Sequence, residues 1–310
     1  MAEQAEVKAF ALDLPPHPAN PLGISLATSS DEEIMAASSG STRDLSTKRN
    51  LGLLLARMLR WQRLMFLDDD IYGVSKEDVD ALAAGLSDHS VSVLIPEEFP
   101  DNSVACHAHR LGGGEQGKFA GAGGMGVRCD RHDLGFFPNI YNEDWLFFSE
   151  EAATRKIILV GSSLQRKYDP YEDPERAVKE EFGDLLAEGL YARLDHKEGV
   201  LGADIRYWDA FISSRGAFHE RVAESLGNHP HCHRDTYLGK TVRAAQVSIS
   251  AAQRQLNLIS PDLCQRFVDL WQSDLIRWRD HLATIPSFDS IESALLSLDL
   301  RYEAYPPSTR

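Results

Sequence analysis

Two short stretches concentrate acids against apolar neighbours, "FLDDDI" with Asp68, Asp69 and Asp70, and "NIYNEDWLFF" with Glu143 and Asp144. Like charges set side by side repel, so three consecutive aspartates need water, a basic group or a cation to offset them. The triplet follows the apolar run Leu64, Met65, Phe66, Leu67, which reads as a short interior strand. The acids then emerge at its C-terminal end, where open α/β sheets place ligands. Alternate side chains of a strand share a face, so Asp68 and Asp70 are expected on one rim with Asp69 aimed across. Two carboxylates on one rim suit a hard divalent cation, which in turn bridges diphosphate oxygens. A solvated acidic turn is the plainer reading of such a triplet, and the apolar lead-in favours the cation.

Glu143 and Asp144 sit among Tyr141, Trp145, Phe147 and Phe148. Apolar surroundings raise a carboxylate's proton affinity and prepare it to act as a base near neutral pH. The pair also fits a helix start capped by Asn142, and both readings hold together if that helix begins at the mouth of a pocket. Between the two acidic stretches, "GKFAGAGGMGVR" supplies Gly121, Gly123, Gly124 and Gly126, which allow close backbone approach to a ligand. It lacks the Gly-Lys-Ser/Thr ending of a Walker loop and fits no dinucleotide fingerprint.

Other chemistry-bearing residues carry less. "NHPHCHRD" (His229, His231, Cys232, His233) matches no standard zinc spacing and reads as a polar loop; His107 and His109 in "CHAHR" read as structural, with acceptor contact the alternative. Trp208, Trp271 and Trp278 stand at helical spacing and are assigned to a core.

The elements that must position these groups alternate in the first half. "VKAFALDLP" and "LGISLAT" read as strands and the polar stretch 28–47 as a loop. A helix is expected over 46–61 with Ser46 or Asp44 as N-cap, followed by the acid-tipped strand, a helix over 75–86, a strand over 90–96 and an interior strand over 155–164. After about Tyr168 the pattern turns helical. Asp173 and Pro174 start a long helix, and three or four more follow, including one over 204–226 and one beginning at Ser260. The expected fold is α/β, an α/β/α sandwich with a mixed sheet over residues 1–170, then a mainly helical region over 171–310 that completes an acceptor pocket or forms a homo-oligomer face.

The ordered combination of the "KRNLGLLLAR" helix, the apolar strand ending in "LDDD", the segment "GAGGMGVR" and the downstream "NED" before a Trp resembles the metal-dependent GT-A glycosyltransferases, particularly family-2-like members. The resemblance covers residues 44–170. It implies a GT-A fold and transfer of a sugar from a nucleotide diphosphate donor, such as a UDP- or GDP-sugar, to a small-molecule or glycan acceptor hydroxyl. By that resemblance Asp68 and Asp70 hold Mn2+ or Mg2+, and Asp68 and Asp69 attend the donor. Lys48, Arg49 and Asn50 lie near the nucleotide, and Gly123 and Gly124 line the donor sugar. Asp144 is the base, with Glu143 beside it, a pairing that leans towards inversion.

Two departures stand out. The family's opening βαβ unit is shortened here, with "VKAFALDLP" its expected remnant and Asp13 near the base, and the strand after Glu143–Asp144 carries no His. Gln165 is the nearest substitute there, with Arg166 and Lys167 beside it for the diphosphate, or a His from the helical half reaches in. A phosphohydrolase using an Asp nucleophile, and a non-catalytic nucleotide-sugar-binding relative, are the alternatives.

Composition limits the rest. With 43% hydrophobic and 25% charged residues among 310, the chain can bury a full core, and its net charge of −15 argues against nucleic acid as a partner. No apolar run is long enough to span a membrane, the opening lacks a signal-peptide pattern, and the four cysteines form no CxxC pair. A cytoplasmic protein with reduced thiols is the expectation.

Overall fold

The computed structural model describes residues 8–14, 20–38, 43–97, 103–115 and 120–305. The "QGKF" opening of the glycine-rich segment, residues 116–119, lies outside them. A mixed α/β architecture is observed, with a five-stranded mixed sheet and a helical C-terminal region.

In chain order the first strand is β1 (Ala9–Asp13), followed by α1 (Glu32–Ala37) and α2 (Arg43–Met58). The expected strand over "LGISLAT" is instead a turn and a single 3-10 turn at Ala27–Ser29, because Asp274 accepts from the Ala27 and Thr28 N–H groups at 2.9 and 2.8 Å. Those donors are thereby lost to any sheet. The stretch expected as a loop contains α1, which Asp31 caps by accepting from the Glu33 and Ile34 N–H groups. Ser46 lies inside α2 and caps nothing there; its hydroxyl donates to the Pro138 carbonyl at 2.9 Å. Leu51, Leu54, Leu55 and Met58 are buried as their spacing predicts.

Next come β2 (Arg63–Leu67), β3 (Ile71–Tyr72), α3 (Lys76–Gly85), β4 (Val91–Glu97), α4 (Val104–Leu111), β5 (Gly124–Arg128), α5 (Glu143–Phe147), α6 (Ser149–Ala153) and β6 (Ile157–Gln165). The helix expected over 75–86 forms with a capping box between Ser75 and Asp78. The sheet order is β2-β5-β4-β6-β3, with β4 and β6 parallel and every other pair antiparallel. β2 is therefore an edge strand rather than an interior one, and Leu67 at its end is 51% exposed. β6 pairs with β3 only at Leu164 and Gln165, and its Leu159 side chain is exposed.

β2 and β3 stand at opposite ends of the strand order, yet only Asp68, Asp69 and Asp70 join them. Four strand spacings in a flat sheet amount to roughly 19 Å. Four residue steps reach only about 14 Å. The sheet therefore has to curl at this end, and two contacts show where. Asp68 N–H donates to the Gly123 carbonyl at 3.0 Å, and the Ile71 side chain lies 3.4 Å from the Cβ position of Gly123. β4 and β5 pair only over Val91–Val93, and the β4 register shifts between Val93 and Leu94. Beyond Val93 the β4–β5 ladder ends, and Leu94 to Pro96 and Gly124 line a cavity.

The helical region comprises α7 (Glu175–Asp195), α8 (Ile205–Gly227), α9 (Tyr237–Leu256), α10 (Pro261–Thr284) and α11 (Ile291–Ser297), and ends in β7 (Arg301–Tyr305). Asp173 accepts from the Glu175 N–H at 3.0 Å, and Ser260 caps α10 ahead of Pro261. Trp208, Trp271 and Trp278 are fully buried. One apolar cluster joins α2, β4 and β5 to Phe182, Leu185 and Leu186 of α7 and Phe267 and Trp271 of α10. β1 pairs antiparallel with β7 in a separate two-stranded ribbon. Among the described residues no helix is long and apolar enough to cross a membrane.

Candidate functional site

The cavity has a volume of about 400 Å³ and draws its walls from several parts of the chain. Arg49 comes from α2, Asp68 and Ile71 from the β2–β3 crossing, Leu94 to Pro96 from β4, Gly121, Gly123 and Gly124 from the approach to β5, and Glu143 and Asp144 from the start of α5. Opposite them stands the α7 face carrying Asp184, Glu188, Tyr191 and Asp195.

Arg49 is the hub. It is 5% exposed; its Nη2 donates to both carboxylate oxygens of Asp68, at 3.0 and 2.8 Å, and its Nη1 to Glu143 Oε1. A guanidinium forks between two carboxylates with little reorganisation, whereas a lysine would supply only a point charge. Burial works against the Arg49 charge, but Glu143, Asp68 and Asp144 outweigh it and hold the group protonated above the ordinary arginine value. Asp144 is fixed differently. Its Oδ2 accepts from the Ala122 N–H at 2.9 Å and its Oδ1 from the Trp145 N–H at 2.8 Å.

Burial raises the proton affinity of Glu143, to a pKa of about 8, with Arg49 opposing and Asp144 reinforcing the shift. Asp144 is raised as well, by burial against the pull of Arg49 and its two N–H donors. One buried cation thus faces three carboxylates, and the cluster retains an affinity for a proton or a second cation.

The remaining expected residues sit elsewhere. The Asp68–Asp70 segment is a turn, with the Ile71 N–H donating to the Asp68 carbonyl at 3.1 Å, so the strand alternation expected to align Asp68 with Asp70 does not apply. Asp70 turns to Gln165, whose Nε2 donates to Asp70 Oδ2 at 2.9 Å, and Asp69 points to solvent. Lys48 is exposed and pairs with Asp44 one turn back. Asn50 is buried and exchanges two 2.8 Å hydrogen bonds with the backbone of Phe137, a structural tie. Asp13, opposite Arg301 in the β1–β7 ribbon, does not line the cavity.

No family model, no curated protein and no solved structure matches the chain. The site has to be judged on its own geometry. Among the described residues no group of three or more His, Cys, Asp or Glu side chains gathers as a metal cage. Of the residues expected to hold a metal, Asp68 lines the cavity, whereas Asp70, bonded to Gln165, does not. Asp68 keeps free lone pairs on both oxygens beside Arg49, and Gln165 Oε1, buried next to Asp70, has no hydrogen-bond partner. The His-rich loop is internally satisfied in part, with the His231 N–H donating to His229 Nδ1 and the Cys232 thiol to the Gly227 carbonyl. His107 is buried beside Tyr168 at 3.4 Å, where burial pushes its pKa down to about 4, and His109 packs on Phe218.

Completion of a pocket by the helical region was one of two expectations, but sequence reasoning singled out none of the residues of the α7 wall. Its signal was present as Glu181, Asp184 and Glu188, acids three and four residues apart on the same turns as buried leucines. It also placed Arg49 near a nucleotide without reading it as the bridge between the two acidic stretches.

Proposed function

We propose that the protein is a glycosyltransferase using a nucleotide diphosphate sugar, with the nucleotide-bearing end of the donor at the Arg49–Asp68 rim and the sugar over Gly121–Gly124. The observation that carries the reading is the convergence of two acidic stretches, about 75 residues apart in sequence, on one glycine-floored cavity with Arg49 between them. Glycosyl transfer to a hydroxyl needs both functions, a group that stabilises a departing diphosphate and a separate base for the incoming oxygen.

Asp144 is the proposed base. It takes the acceptor hydroxyl proton as that oxygen forms its bond to the anomeric carbon, and the bond to the diphosphate breaks with its electron pair leaving on the nucleotide. The Ala122 and Trp145 N–H groups orient the carboxylate. Glu143, locked to Arg49, is the structural partner of the pair and holds Arg49 towards Asp68. Asp68, on the cavity wall, would hold Mn2+ or Mg2+, which when bound would offset charge on the diphosphate. The Trp145 and Tyr191 rings, 4.8 Å apart, form the acceptor wall.

A thermal-shift titration with UDP and GDP, with and without Mn2+, tests the donor half. The melting temperature should rise with one nucleotide plus metal and fail to rise for Asp68→Asn. Binding that survives EDTA unchanged removes the metal, and no rise with any nucleotide removes the donor assignment.

A further inference from the structure

α7 touches the acid-bearing segment at two points. Gly183 lies so close to the Tyr141 carbonyl that a Cβ there would collide with it. The next residue, Asp184, accepts from Asn142 Nδ2 through Oδ1 at 2.7 Å. Two turns further on, the Tyr191 hydroxyl donates to the Trp145 carbonyl at 3.0 Å. Glu143 and Asp144 are the residues between these two ties.

Asn142 holds a left-handed backbone conformation, φ 60° and ψ 34°, which costs energy for a residue with a side chain. Its side chain makes no cap hydrogen bond to the helix it precedes and is committed to Asp184 instead. Asp184 is braced from behind. Arg215 of α8 donates from Nη2 to Asp184 Oδ2 at 3.0 Å, and the same guanidinium donates to Glu181 at 2.6 and 3.0 Å and to Glu188 at 2.6 Å. Asp184 and Arg215 are 4% and 3% exposed. Burying such a network costs desolvation, and apolar side chains at the same positions would pack two helices at least as well.

We infer that Asp184, braced by Arg215, is a positioning residue that sets, through Asn142, where the Asp144 carboxylate stands in the cavity. The consequence for turnover rests on the glycosyltransferase reading, whereas the mechanical link does not.

Two variants separate the link from bulk stability. Asn142→Gly keeps the left-handed backbone without steric cost and removes only the side-chain hydrogen bond. Asp184→Asn keeps the shape but confronts Arg215 or Asn142 with a donor. The readout independent of activity is hydrogen exchange at the Ala122 amide, which donates to Asp144 Oδ2. In both variants Ala122 should exchange at least about tenfold faster while the α10 amides keep their wild-type protection, and kcat for sugar transfer should fall roughly ten- to hundredfold with the nucleotide-dependent thermal shift retained. Unchanged Ala122 exchange overturns the inference, as does exchange that accelerates equally in α10, or a raised donor KM with unchanged kcat. If Asp184→Asn fails to fold, Asn142→Gly decides alone. A wild-type protein without turnover would defeat the glycosyltransferase reading and leave the Ala122 measurement to judge the link.

Discussion

At the residue scale, Arg49 is the group on which both acidic stretches depend. Replacing it with Met leaves the buried Glu143 carboxyl and Asp68 without their hydrogen-bond donor, so Arg49→Met should lower unfolding free energy by about 1–3 kcal/mol in urea titrations. The same cluster sets a pH dependence. Glu143 has its pKa raised to about 8 by burial, from an ordinary 4.5, and Asp184 to about 7, also by burial, from 3.8. Between the ordinary and the raised values the folded protein keeps protons that the unfolded chain has released, so stability declines as pH rises from about 4 to about 8. Glu143→Gln, which stays neutral throughout, should flatten the upper part of that decline in melting temperature measured across the range. The acids themselves were legible in the sequence because charge beside apolar runs is conspicuous. Arg49 as a bridge was not, since the pairing of a helix residue with two distant carboxylates depends on the sheet curl and on no local pattern.

At the element scale, α7 does what the sheet alone does not. It closes the cavity with Asp184, Glu188 and Tyr191 and approaches Tyr141 through Gly183. Gly183→Ala forces either α7 or the Tyr141–Asn142 segment to move, with an expected loss of about 1–3 kcal/mol by urea unfolding and a changed Asp144 environment. A wild-type urea midpoint for this variant would show that the segment yields without cost. Helices such as α3, α7 and α10 could be read from spacing and caps, because those signals are local. The edge position of β2 and the replacement of the "LGISLAT" strand by a turn could not, since both follow from partners far along the chain. For that turn the partner is Asp274, fully buried on α10 and bonded to two backbone donors and the Thr28 hydroxyl. Asp274→Ala leaves those donors without an acceptor and should cost about 2–4 kcal/mol, read from the urea midpoint.

At the scale of the whole molecule, a continuous apolar cluster runs from the sheet side into α7 and α10. Shared side chains couple the two halves, so far-UV circular dichroism and tryptophan fluorescence should report one coincident unfolding transition. Two resolved transitions would show that the cluster does not couple them. The composition of the two halves made the shift from alternating to helical structure readable near Tyr168, but it carried no information about how much core they share. The β1–β7 ribbon was equally hidden, because the pairing of the first and last strands leaves no trace in either one.

The three-residue crossing between β2 and β3 is a closed turn, pinned by the Ile71 N–H to the Asp68 carbonyl. Its side chains can be exchanged one at a time, but its length is set by that turn, so one residue fewer would open the turn and shift β3 against β6. One residue more would let the Asp68 carboxylate drift from Arg49 without altering either group. The acidic rim is thus held by chain length as much as by charge.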